Sequence, residues 1–125
     1  MELGTLCKDG SERRLIQYCG YASKCGSSSI VVTQAKTGQM VEGKAQFQVT
    51  ISNSCECPQS DVLIGCLGFN SVGPWPNPSI FRKLRDSSCG VNNGKRIVRG
   101  SPVKFTYAWD YPSDLPVVGA RARCS

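Results

Sequence analysis

Eight cysteines and no histidine in 125 residues constrain this chain more than any other feature. Cys7, Cys19, Cys25, Cys55, Cys57, Cys66, Cys89 and Cys124 form an even set spread along a short chain. That is the pattern of a disulfide framework laid down in an oxidising compartment. The rival use of cysteine, a structural zinc, needs C-x-x-C knuckles; Cys55-Glu56-Cys57 is a C-x-C, and no second knuckle exists. The missing histidine removes the commonest general base and the Ser-His and Cys-His nucleophile pairs. The expectation is a non-enzyme with no cofactor and no metal.

A chain this long is normally one domain and can bury roughly two-thirds of the surface its unfolded form exposes. A true core is therefore possible, with the bridges supplementing it. No run of 18 apolar residues is present, so no membrane span is expected. The first residues, MELGTLCKDGSERRLIQYC, lack the charged start and apolar run of a signal peptide. The chain is expected to be secreted to the apoplast with its signal already removed.

The net charge of +6 is placed unevenly. Residues 1–81 are balanced, whereas residues 82–125 carry nine Lys/Arg against Asp86, Asp110 and Asp114. A basic half in a secreted protein points to an acidic partner, a receptor surface, an anionic cell-wall polysaccharide or a phospholipid headgroup, and no nucleic acid is expected. Arg82, Lys83, Arg85, Lys95 and Arg96 are the candidate contact residues, on a chain expected to be monomeric when free.

Residues 1–28 read as an irregular, polar N-terminal extension carrying the extra cysteines Cys7 and Cys19 and a dibasic Arg13-Arg14. Residues 29–125 read as a cysteine-rich β-domain. Gln46–Ser52 alternates strictly between polar and apolar, the mark of a half-buried strand. Val103–Trp109 does the same, with Val103, Phe105, Tyr107 and Trp109 on one face. Ile30–Thr33, Asp61–Leu67, Ile97-Val98 and Val117–Cys124 complete the strand signals, and Asn92-Asn93-Gly94 is a tight turn. Pro78–Leu84 is expected to make a short helical turn, with Ile80, Phe81 and Leu84 on one side. Six or seven short strands separated by turns predict an all-β, antiparallel, disulfide-stapled β-sandwich. Alternation places both Cys66 and Cys124 inward, which makes Cys66–Cys124 a plausible bridge among 105 possible connectivities.

Catalytic chemistry finds little support. The nine carboxylates are scattered, and Asp110 and Asp114 sit in a Pro-bearing loop where Asp is an ordinary turn former. Trp75, in Gly73-Pro74-Trp75-Pro76-Asn77-Pro78, is held by three prolines. With Tyr111 it could form an exposed aromatic platform for cell-wall polysaccharide, the alternative to a protein partner.

Taken in order, Asn53-Ser54-Cys55, Cys66-Leu67-Gly68-Phe69, Pro78-Ser79-Ile80-Phe81, Cys89-Gly90-Val91-Asn92-Asn93-Gly94, Phe105-Thr106-Tyr107-Ala108 and the terminal Cys124 resemble the plant TAPETUM DETERMINANT family of small secreted cysteine-rich proteins. Cys25, Cys55, Cys57, Cys66, Cys89 and Cys124 match that family's six cysteines, and the likeness covers about residues 25–125. The resemblance implies an extracellular signalling ligand perceived by a leucine-rich-repeat receptor kinase, specifying somatic cell fate in the anther. Cys7, Cys19 and the Trp75 loop fall outside the family pattern.

Overall fold

The alternating segments become strands on either side of one hairpin. In a computed structural model, which describes residues 25–85 and 87–124, β1 (Ile30–Val41) and β2 (Lys44–Asn53) run antiparallel. They turn at Glu42 and Gly43, with φ of 49° and 81°. Positive φ at both central residues gives a two-residue turn whose twist matches that of the strands it joins. β6 (Val103–Trp109) lies on the other side of β2, completing a three-stranded sheet. The second sheet is built from β3 (Gln59–Gly65), β4 (Phe81–Arg85), β5 (Ser88–Val91) and β7 (Val117–Ala122) in the order β4-β5-β3-β7. Among the described residues, seven strands in two antiparallel sheets make the expected all-β architecture.

The inner faces meet in a core of Phe47, Val49, Ile51, Phe105 and Tyr107 against Val62, Ile64, Phe81 and Val91. Phe81 of the second sheet stacks on Phe105 of the first at 4.3 Å between ring centroids. Phe69, in the β3–β4 connection, stands edge-on to both Phe81 and Tyr107. Such pairs contribute about 0.5–1.5 kcal/mol each beyond their buried area. The Tyr107 hydroxyl donates to Gln34 Oε1 at 2.5 Å and accepts from the Ser113 amide at 2.7 Å. The residue thus joins β1, β6 and the loop leading to β7.

Two local expectations are corrected. The helical turn closes only over residues 78–80, where the Ile80 and Phe81 amides both donate to Asn77 O, and the chain is extended from Phe81 onward. Pairing with β5 draws Phe81 to Leu84 into a sheet despite their helix-like spacing. Ile97-Val98 is no strand: Ile97 makes a single bridge to Gln59.

The bridge expected between Cys66 and Cys124 does not form. Among the described residues the disulfides are Cys25–Cys55, Cys57–Cys124 and Cys66–Cys89. Antiparallel pairing of β3 with β7 sets Ile64 opposite Val117 and Gln59 opposite Ala122. Cys66 and Cys124 therefore lie at opposite ends of β3, and Cys124 arrives beside Cys57 instead. Most of the expected N-terminal extension, with Cys7, Cys19 and Arg13-Arg14, lies outside the described residues.

One buried amide organises the cysteine-rich end. Asn53, 2 % exposed, donates from Nδ2 to Cys57 O at 2.8 Å and to Ile97 O at 2.9 Å. Its Oδ1 accepts from the Cys55 amide and from Gln59 Nε2. A short polar side chain that bonds the backbone two residues on is a turn former. Here that turn aims Cys55 at Cys25 and Cys57 at Cys124.

Candidate interaction face

A trough lies on the outer side of the four-stranded sheet. Val62 and Ile64 point into the core, so Leu63 between them points out. Its register neighbours on either side are Gly90 and Gly119, and Arg82 stands beyond Gly90. In the row Arg82, Gly90, Leu63, Gly119 the position between Arg82 and Leu63 has no side chain, and the trough lies there beside Leu63. Leu84, 48 % exposed, forms a wall: a Cβ at Gly90 would come within 3.1 Å of Leu84 Cδ1. Pro78, Asn93 and Gly94 close the trough, and its volume is about 330 Å³.

The turn at Asn92-Asn93-Gly94 has positive φ at all three residues. Gly94 is the one that packs closely, since a Cβ there would meet Asp61 Oδ1 at 3.3 Å. That turn delivers Lys95 and Arg96 to a shallow basin shared with Ser60, Asp61 and Arg123. Arg123 Nε donates to Ser60 Oγ at 2.7 Å. Asp61 lies 3.5 Å from Arg123 and 3.9 Å from Arg121. Trough and basin share Asp61 and Gly94, so they form one continuous surface.

Arg82, Lys95 and Arg96, named from sequence, are thereby gathered around a single feature. Lys83 and Arg85 are exposed on the same edge strand but line neither cavity. Arg121, Arg123 and the apolar residues Leu63 and Leu84 were not among the candidates. Their part depends on β7 and β5 flanking β3, which no local motif announces. Among the described residues, Arg82, Lys95 and Arg96 make no ion pair.

The aromatic candidates stay apart. Trp75 is 54 % exposed, with its ring edge-on to Phe69 at 5.5 Å. Tyr111 is 65 % exposed, and no ring contact joins the two among the described residues. Asp110 is engaged by Lys44 Nζ at 2.5 Å.

One group of potential metal ligands occurs among the described residues: the sulfurs of Cys25, Cys57 and Cys124 lie within 4.8 Å of one another. All three are consumed in disulfides, which leaves no thiolate to coordinate an ion. The closeness has another consequence, because a thiolate freed from one bridge would lie beside the other and could attack it. Cys66 and Cys89 are each only 2 % exposed. Limited reduction followed by alkylation and peptide mapping is expected to label Cys25, Cys55, Cys57 and Cys124 together, before Cys66 or Cys89. Early labelling of Cys66 would contradict this order.

A two-sheet antiparallel β-sandwich, stapled among the described residues by three disulfides, defines the structural class. The chain belongs to the tapetum determinant family: residues 26–125 match the family described as Tapetum determinant 1, C-terminal. It is 34% identical over 95 residues to the TPD1 protein homolog 1 of Arabidopsis thaliana, covering 74% of this chain and 52% of that protein. It is 27% identical over 100 residues to the TPD1 protein homolog 1A of Oryza sativa subsp. japonica, covering 74% and 44% respectively. The chain thus spans about half the length of the curated relatives it matches. No solved structure matches.

The motifs that carried the resemblance turn out to be devices of the fold. Asn53 orients two bridges, and Phe69 enters the aromatic cluster after a turn in which its amide donates to Cys66 O. Phe81, Phe105 and Tyr107 join the sheets, while Asn92-Asn93-Gly94 makes the left-handed turn.

Proposed function

We propose that this chain is the recognition domain of a secreted plant signalling protein, perceived in the apoplast by the ectodomain of a leucine-rich-repeat receptor kinase. It specifies cell fate of the tapetum and anther type and performs no catalysis. Family membership over residues 26–125 is the observation that carries the reading. The three disulfides among the described residues suit an oxidising extracellular space. The basic residues Arg82, Lys83, Arg85, Lys95 and Arg96 dock on an acidic receptor surface.

Charge of this kind speeds encounter and is weakened by salt. Triple reversal at Arg82, Lys83 and Arg85 to Glu is expected to lower affinity for the cognate ectodomain about tenfold or more at low salt, mostly through the association rate. Surface plasmon resonance of the oxidised protein against a panel of plant leucine-rich-repeat ectodomains checks both points. A panel without any binder removes the receptor reading. An unchanged affinity in the triple variant removes the contact assignment.

A further inference from the structure

We infer that the trough on the outer face of the four-stranded sheet is an anchor site for an acidic protein segment that inserts one apolar side chain between Leu63 and Leu84. The inference deepens the recognition reading above and rests on it for the choice of face, but the titration that tests it contains no receptor.

The argument for an apolar insert is steric. Gly90 lies in register with Leu63 and carries no side chain, so Leu84 packs over it and the trough between the two leucines is left unfilled by β5. Leu84 is held over Gly90 although almost half of it faces solvent. A volume of about 330 Å³ is at the foot of the ~300–1,000 Å³ range of ligand sites. It suits one anchoring side chain of the sort that dominates protein interfaces. An extended cofactor would find too little enclosure.

The argument for acidic flanks is electrostatic. Arg82 stands on one side of the trough, and Lys95 and Arg96 stand beyond Gly94 on the other. These three cations have no ion pair among the described residues, whereas Asp61, the acid on this surface, is already shared by Arg121 and Arg123. A segment with carboxylates on both sides of a Leu or Phe would satisfy the cations while burying its apolar centre. Residues 1–24 of this chain are a poor occupant: their apolar stretch Leu15-Ile16 directly follows Arg13-Arg14. A purely anionic polysaccharide would meet the cations but leave the trough unfilled.

The test is titration of the ¹⁵N-labelled, oxidised full chain with the peptide Asp-Glu-Phe-Glu-Asp. Three comparison probes are the same peptide with Ser in place of Phe, one with Lys in place of the acids, and oligogalacturonate. Saturable amide shifts are expected at Leu63, Leu84, Gly90 and Gly94, with a Kd below about 1 mM. Affinity is expected to fall about tenfold or more with the Ser peptide, and equally when Leu84→Ser is placed in the protein. Arg82→Glu is expected to weaken binding and flatten its salt dependence. Because Leu84 is half exposed, Leu84→Ser should keep the amide spectrum of the parent fold, which separates loss of the site from loss of folding. Equal binding of the Phe and Ser peptides, tighter binding of oligogalacturonate, or shifts confined elsewhere would overturn the inference. So would displacement of residues 1–24 by the peptide, or concentration-dependent shifts in the trough without peptide, which would assign it to the chain itself or to a second copy. Peptide binding with no receptor in the ectodomain panel would sink the receptor reading and leave the anchor site standing. A cognate receptor indifferent to Leu84→Ser would do the reverse.

Discussion

Phe81→Ala is expected to lower unfolding free energy by about 3–5 kcal/mol, the usual cost of deleting a fully packed aromatic ring. Phe81 is 5 % exposed and belongs to an edge strand, yet its ring stacks on Phe105 of the opposite sheet and meets the edge of Phe69. It holds β4 to the body of the sandwich. Losing it leaves a cavity between the sheets and weakens the attachment of the strand that carries Arg82, Lys83, Leu84 and Arg85. Leu84→Ala on the same strand is the internal comparison and should cost less than about 1 kcal/mol, because its side chain is half in solvent. Urea unfolding followed by fluorescence distinguishes the two. A Phe81→Ala cost below about 1 kcal/mol would mean that β4 is held by its backbone pairing with β5 and not by the aromatic contact.

Removing the Cys57–Cys124 bridge as the double serine variant is expected to destabilise by about 4 kcal/mol from chain entropy alone, since the closed loop spans 67 residues. At about 4–8 °C per kcal/mol for a domain of this size, the melting temperature should fall by roughly 15–30 °C. The shorter 23-residue loop of Cys66–Cys89 gives about 3 kcal/mol by the same reasoning. Cys57–Cys124 is also the bridge that ties the end of β7 to the turn built by Asn53, where Arg123 N donates to Pro58 O. Its loss frees Arg121 and Arg123 and so disturbs the basic basin as well as the fold. Calorimetry of the parent and double variant measures the effect. A melting temperature lowered by less than about 5 °C would show that the β3–β7 ladder closes this end unaided.

Much of this architecture was legible because period-two alternation is a local signal. Gln46–Ser52 and Val103–Trp109 are strands with their apolar residues inward, as their spacing implies. Short apolar runs are ambiguous, and Ile80, Phe81 and Leu84 show why. Their spacing suits one helical face, but Phe81 turns inward to the core while Leu84 lies over Gly90 on the outer side. Ser88–Val91 gave no sign at all, being four residues long with a glycine inside. Among the candidate contact residues, five cations were visible as a cluster in the chain. The trough that three of them adjoin was not, because its lining combines Leu63, Leu84 and Gly90 from three different strands with the turn residues Asn93 and Gly94.

The eight cysteines, read alone, determined that the chain is a disulfide framework, and alternation determined that the framework encloses β-strands. Both are properties of nearby residues and of composition, which tertiary packing does not alter. Which cysteine meets which was decided only by the fold. Antiparallel pairing of β3 and β7 carries Cys124 back to Cys57 and leaves Cys66 at the far end with Cys89. The same pairing brings Arg123 alongside Lys95 and Arg96, and strand register sets two glycines beside Leu63. Register and strand order are relations between distant segments, set by the burial of both inner faces at once, so no single stretch of the chain encodes them.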